Sequence, residues 1–166
     1  TVQMWFTLNE QEPKFGHIVG RGFWFGETAV LTGQSRIMDA VATGPVELFV
    51  LSGKQVESIA IQWPEIWKSL ALLAALNQGT AIGVADDLMI KNSKIRLAAT
   101  LLRLSSRRSG HQRVAPLDNL PISWDELSHA ANLSRSKVGA ILAVFSASGF
   151  IKTHKRSIEF LNPQGL

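Results

Sequence analysis

The last third of the chain constrains the fold most, because its apolar residues recur at helical spacing on both sides of a short polar turn. A first helix is predicted from about Trp124 to Ala131, and Ser134 is a good N-cap for a second one. Asn132, between them, tolerates the left-handed backbone that a tight inter-helix turn needs. The apolar face of the first helix comprises Leu127, Ala130, Ala131 and Leu133, and that of the second comprises Val138, Ile141, Leu142 and Phe145.

Two short alternating runs follow this helix pair. Gly149 is predicted to end the second helix, and the runs FIKTH and SIEFL then form a hairpin around Lys155 and Arg156. Helix, turn, helix and hairpin in this order predict a winged helix-turn-helix, a double-stranded-DNA-binding module whose second helix enters the major groove with its N-terminal turn. The predicted DNA-contacting residues are Ser134, Arg135, Ser136 and Lys137 in that turn and Lys152, Lys155 and Arg156 in the hairpin. Arg135 suits a bidentate contact to guanine, and the hairpin cations suit phosphates.

The charge distribution favours the same function. Residues 106–166 carry eight Lys or Arg and four Asp or Glu, whereas residues 1–105 carry nine of each. The net charge of +4 therefore lies entirely in the predicted DNA-binding segment. A solvated basic face without function is the alternative, and the helix-turn-helix spacing disfavours it.

Composition excludes several classes of protein. The chain is 46% hydrophobic and 18% charged, which is typical of a globular protein, and no apolar run reaches the roughly 18 residues of a membrane span. We therefore expect a soluble, cytoplasmic protein. With no cysteine, no iron–sulfur cluster or disulfide is expected. The four histidines, at 17, 111, 129 and 154, lack metal-ligand spacing and are each predicted to lie at the surface or at its boundary with the core, so no metal site is expected. No catalytic motif is present, so no enzyme activity is expected.

Three segments precede or join this module. Residues 1 to about 61 are interrupted by glycines and alternate like strands, which predicts a small antiparallel β structure. A helical region is predicted from about Pro64 to Ser105, and a polar connector follows it. The predicted domains are a sensor domain over 1–62, a dimerisation helix over 63–90 and the DNA-binding domain over 91–166.

The helical region carries apolar and small residues at three- and four-residue steps. This pattern predicts a seam between two copies of the helix, although packing against the chain's own domain is an equal alternative from the pattern alone. DNA-reading helices commonly work in pairs, because half-sites lie one helical turn apart, which favours a homodimer. The seam comprises Leu72, Leu76, Ala81 or Ile82, Ala85, Leu88, Met89 and Ile95.

The segment GRGFWFGETAVLTGQSRIMDAVATGPVELFVLS, together with the helix and the winged module, resembles the Crp/Fnr superfamily of bacterial transcription regulators. The resemblance covers essentially the whole chain. It implies an α+β fold: a partial antiparallel β-roll of the cyclic-nucleotide-binding type, a long dimerisation helix and a C-terminal winged helix-turn-helix. Most members have more roll ahead of the point where this chain starts, so the roll is expected to be incomplete at its N-terminus.

The family's phosphate-binding cassette reads Gly-Glu, a short helix and loop, then Arg-Ser/Thr-Ala. Gly26, Glu27 and Arg36 match it, and the resemblance implies that they hold a ligand's phosphate and ribose. Ile37 and Met38 depart from it, and Ile37 lacks the hydroxyl that would donate to a phosphate oxygen. An alternative is that Glu27 and Arg36 only tie the loop together by an ion pair.

A second departure lies on the long helix. The hydroxyl residues that contact adenine in cyclic-AMP-binding members fall here on Ala81 and Ile82, with Thr80 adjacent. Each lost hydrogen bond in a desolvated site costs about 1–3 kcal/mol, so tight cyclic-AMP binding is not expected, and the effector stays unknown. In the recognition helix, Arg135 matches the family's first base-reading arginine, whereas Ser136 and Ala140 replace its usual Glu and later Arg.

The sequence therefore predicts a homodimeric, DNA-binding transcription regulator that is controlled by an effector or partner at the roll and contacts RNA polymerase. The alternative is a cyclic-AMP or cyclic-GMP sensor module that signals through protein contacts.

Overall fold

A computed structural model describes residues 1–7, 12–108 and 114–166. The N-terminal part contains a three-stranded antiparallel sheet of β1 (Val2–Phe6), β2 (Lys14–Val19) and β3 (Met38–Ala42), in the order β2-β1-β3. In its register, Val2 lies opposite Val19 on one side and Ala42 on the other, with a bulge between Met4 and Trp5. The short helix α1 (Glu27–Thr32) lies between β2 and β3.

The segment from residue 45 to residue 104 differs from the sequence prediction at two places. Residues 53–62, predicted as strand-like, form helix α2 (Gly53–Gln62), because Ser52 and Gln55 make a reciprocal capping box that starts it. Residues 45–52 before it form no regular element. The predicted helical region is two helices, α3 (Ile66–Met89) and α4 (Ser93–Leu104). The break occurs at residues 90–92, where the Asn92 side chain caps α4 by accepting from the Lys94 and Ile95 amides at 2.9 and 3.2 Å.

The winged module forms as predicted. It contains α5 (Trp124–Ala131), α6 (Arg135–Ala147) and the hairpin of β5 (Ile151–His154) and β6 (Ser157–Phe160). Asn132 adopts the left-handed conformation at φ 48°, and Gly149 does so at φ 73° after α6. The sequence did not predict β4 (Asn119–Leu120), which pairs with β6 and makes the hairpin a three-stranded sheet in the order β4-β6-β5. Part of the predicted connector, residues 109–113 with His111, lies outside the described residues.

One apolar core joins the N-terminal sheet to the winged module. Phe15 and Ile18 of β2 are buried in the same cluster as Leu97 of α4, Leu127 of α5 and Leu142 of α6. The sheet therefore packs directly on the helices that carry the predicted DNA-contacting residues. Helix α3 differs, since the only fully buried residue along its 24 residues is Asp87. None of the described helices is both long and apolar enough to cross a membrane.

His17 is buried at this junction, whereas the sequence predicted a position at the surface or at its boundary with the core. Strand β2 turns it inward beside the core, and burial together with the nearby Arg103 charge lowers the pKa of His17 from 6.5 to about 4. Because the unfolded chain binds a proton at a higher pH than the folded chain, stability is complete above pH 6.5 and falls as the pH drops toward 4. We expect a loss of about 2 kcal/mol between pH 7 and pH 5.

Denaturant unfolding at these two pH values measures this loss. The matched variant His17→Gln, which cannot titrate, is expected to show a nearly flat response above pH 5. Equal slopes for the parent and the variant would assign the pH dependence to other groups.

Candidate nucleic-acid interface

The first turn of α6 presents the predicted DNA-reading residues to solvent. Ser134 caps the helix, because its Oγ accepts from the Lys137 amide at 3.3 Å. Arg135, Ser136 and Lys137 follow it and are all exposed. The cap satisfies the Lys137 amide, and the first turn of the helix presents its two cationic side chains to solvent.

The electrostatics of this surface differ among its cations. Within the part of the chain that the structure describes, Lys137, Lys152 and Lys155 form no ion pair. Arg135 Nη1 lies 3.3 Å from Asp125 Oδ2, and Arg156 in the hairpin lies 3.7 Å from Glu126 Oε1. Three of the predicted cations are therefore available to phosphates, whereas the two arginines already contact carboxylates of α5.

Not every positive charge counted in residues 106–166 faces the predicted DNA-binding surface. Arg107 binds Asp118 and the Leu117 carbonyl, and its guanidinium lies 4.9 Å from the centre of the Phe160 ring. Arg108 pairs with Asp86 and Asp87 of α3. Both arginines are paired with carboxylates of the chain. Counting charged residues in the sequence could not distinguish them from the exposed, unpaired cations.

The first turn of α5 is held from three sides. Ser123 and Glu126 form a capping box, and Glu126 Oε2 accepts from the Ser123 amide at 2.6 Å. Glu126 Oε1 accepts from Gln3 Nε2 of strand β1 at 3.1 Å. Trp124 packs so closely on α6 that a Cβ added at Gly139 would lie 2.8 Å from its ring. The sequence S-W-D-E indicates the capping box. No sequence signal indicates that Gln3 contacts Glu126 or that Asp125 contacts Arg135.

The cassette residues come together at the N-terminus of α1. Gly26 caps the helix at φ 96°, a left-handed conformation that favours glycine, and the exposed Arg36 side chain lies beside it. Glu27 is buried, and its Oε1 accepts from Asn77 Nδ2 of α3 at 3.0 Å. Its Oε2 is buried with no hydrogen-bond partner among the described residues.

The geometry of this cassette bears on both interpretations of its residues. Glu27 and Arg36 do not form the ion pair that the alternative requires, because the Glu27 carboxylate faces α3. The Ile37 side chain is 65% exposed and carries no hydrogen-bond donor that could act beside Arg36. In the described part, no group of three or more His, Asp or Glu side chains is placed to hold a metal ion.

A winged helix-turn-helix whose recognition turn is exposed, joined by a long helix to a sheet with a phosphate-binding-type cassette, defines a class of DNA-binding regulators. Comparisons with known proteins agree with this class. Residues 95–166 match the model of the Crp-like helix-turn-helix domain, and residues 1–62 match that of the cyclic nucleotide-binding domain. The transcriptional regulator SdrP of Thermus thermophilus is 30% identical over 149 residues, which cover 90% of this chain and 69% of SdrP. The chain belongs to the Crp/Fnr superfamily of transcription regulators.

Solved structures share the fold. A CRP-family transcriptional regulator of Thermus thermophilus matches 99% of this chain and 80% of its own at a TM-score of 0.69 and 21% identity. The c-di-GMP-responsive global regulator CLP of Xanthomonas campestris matches 96% of this chain and 79% of its own at 0.68 and 18%. These structures confirm the predicted fold, and the domain matches together with the similarity to SdrP confirm the predicted family.

Proposed function

We propose that this regulator is a homodimer that reads a two-fold symmetric operator with its paired α6 helices, under the control of an effector or partner at the β-roll. The observation that carries the proposal is the exposed, capped first turn of α6, with Arg135 and Lys137 on the surface that a helix-turn-helix inserts into the major groove. Arg135 would read a guanine, and Lys152, Lys155 and Arg156 of the hairpin would contact phosphates.

The surface of α3 supports the homodimer. At 1.5 Å per residue, this helix is about 36 Å long. Several large apolar side chains along it are exposed, and they include four of the residues predicted for the seam. Three of them, Leu72, Ile82 and Met89, share one face of the helix, and a second copy of the helix would cover this face, as expected for an exposed apolar surface. These four residues are Leu72, Ile82, Leu88 and Met89, which are 53, 62, 38 and 80% exposed.

The contact between Gln3 and Glu126 supports control of DNA binding by the roll. Gln3 Oε1 also accepts from Trp5 Nε1 at 3.1 Å, so β1 and the first turn of α5 share one buried hydrogen-bond network. A change in the sheet would act on α5, and α5 contacts the recognition helix. The proposed mechanism is a population shift between two dimer states, in which the effector binds one state more tightly. Contact with RNA polymerase is a further part of the proposal.

The second candidate function is a cyclic-nucleotide sensor that signals through protein contacts. One observation favours it: the unpartnered, buried Glu27 Oε2 is an acceptor suited to a ribose hydroxyl. Binding to duplex DNA that weakens steeply as salt rises would separate the two candidates, because only the regulator needs phosphate contacts.

Cyclic AMP is expected to bind weakly because one contact from the cassette, at Ile37, and one from the long helix, at Ala81, are absent. The variant Ile37→Ser/Ala81→Thr restores a hydroxyl at both positions. Each restored hydrogen bond adds about 1 kcal/mol or more, so the variant is expected to bind cyclic AMP at least about tenfold more tightly than the parent. Calorimetric titration measures both affinities.

The matched control for this variant is Thr28→Ser, which keeps a hydroxyl near the cassette and leaves both restored positions unchanged. Micromolar binding by the parent, equalled by the restored variant, would contradict the weak-binding prediction and favour the sensor.

A further inference from the structure

The contact between Asp125 and Arg135 lies on the surface that is proposed to meet DNA. Asp125 is in the first turn of α5, and Arg135 is the first residue of α6. Their side chains are 61 and 67% exposed, so neither is part of the core. The arginine expected to read a base therefore already has a carboxylate partner in the protein.

The geometry of this pair is compatible with base reading. The closest contact of the pair, at 3.3 Å, is made by Nη1 of Arg135. A guanidinium has five N–H donors, and a bidentate contact to the O6 and N7 atoms of guanine uses two of them. Asp125 can consequently hold one edge of the guanidinium while another edge contacts the base.

The position of Asp125 is itself fixed by the packing around it. The capping box between Ser123 and Glu126 defines the first turn of α5, and the Trp124 ring is packed against Gly139 of α6. Gly139 lies one helical turn after Arg135. The turn that carries Asp125 is thus fixed relative to the N-terminal part of the recognition helix. A carboxylate on a fixed turn can orient a long, flexible side chain.

The other acid of this turn is already engaged. Glu126 accepts hydrogen bonds from the Ser123 amide and from Gln3, and it also contacts the exposed guanidinium of Arg156. Asp125 is therefore the carboxylate of α5 that acts on Arg135.

We propose that Asp125 is a positioning residue that sets the base specificity of Arg135, and this proposal rests on the proposed function. By holding Nη1, the carboxylate restricts the guanidinium to the orientation that reads guanine. Its negative charge, close to the DNA backbone, also weakens binding to every sequence. Asp125 thereby lowers affinity for DNA in general and raises discrimination between bases.

The test compares the full chain with Asp125→Asn, Arg135→Ala and the double variant. Each protein is titrated against its selected operator, the operator with each other base pair at the guanine position, and an unrelated duplex. Asp125→Asn is expected to bind the unrelated duplex about 3- to 10-fold more tightly and to lose about fivefold in discrimination for guanine. In the Arg135→Ala background, the same change is expected to leave discrimination unaffected.

Thermal unfolding of all four proteins serves as the control for folding, and base preference is a readout that a structural role alone would not move. Undiminished preference for guanine in Asp125→Asn, with preference lost in Arg135→Ala, would overturn the role of Asp125 and leave the proposed function standing. A wild-type base preference in Arg135→Ala would overturn the base-reading role of Arg135 and, with it, the role of Asp125. Only the absence of sequence-specific binding by the parent chain would overturn the proposed function.

Discussion

Arg135→Ala is expected to abolish the preference for guanine at one position in each half-site. A bidentate contact between arginine and guanine contributes about 1–3 kcal/mol of discrimination, and a dimer makes the contact twice. The specific affinity should therefore fall by about 2 to 6 kcal/mol, while binding to unrelated duplexes should fall less, because only one positive charge per protomer is lost. The lost contact to Asp125 contributes little to stability, because both side chains are largely exposed.

Competition titrations against the operator and its base-substituted versions measure this loss. The matched control is Lys155→Ala in the hairpin, which is expected to weaken all sequences alike and to reduce the salt dependence by about one phosphate contact per protomer. If the two variants weakened all sequences equally, Arg135 would be another phosphate contact.

Asp87→Asn is expected to be among the most destabilising single changes in the chain. Asp87 is fully buried in α3, and its Oδ2 lies 2.7 Å from Nε of Arg103 in α4. Burial lowers the pKa of Arg103 to about 10, so this arginine stays charged at neutral pH. Removing the carboxylate leaves a buried cation without its counter-charge, which costs about 3–5 kcal/mol.

The neighbouring Asp86 provides a control for this prediction. It is 65% exposed and pairs with Arg108 at 2.7 Å, so Asp86→Asn should cost no more than about 1 kcal/mol. Denaturant unfolding of both variants measures the difference. Similar losses for the two variants would show that the buried pair contributes no more than a surface pair.

The sequence was sufficient to predict the winged module because its signals are local. Helical spacing located α5 and α6, and the cap Ser134 and the left-handed Asn132 fixed the turn between them. The exposed DNA-reading turn follows directly from those boundaries. The assignment of Gly26, Glu27 and Arg36 to a cassette came from the family resemblance.

The remaining features depend on contacts between distant segments. The hydrogen bond from Gln3 to Glu126 spans 123 residues, and the burial of His17 depends on the sheet packing against α4 and α5. The sequence analysis assigned α2 to strand because its apolar residues also fit an alternating pattern. The capping box at Ser52 is the local signal that favours helix over strand. Charge counting could not show that Arg107 and Arg108 are paired within the fold.

Selection of duplexes from a randomised pool by the full chain, followed by sequencing, tests the central claim most directly. It would be run without nucleotide, with cyclic AMP and with cyclic GMP. We predict the same two-fold symmetric site in all three samples, with a guanine at equivalent positions of half-sites about 10 base pairs apart. Enrichment of no site, or of a site without two-fold symmetry, would contradict this prediction.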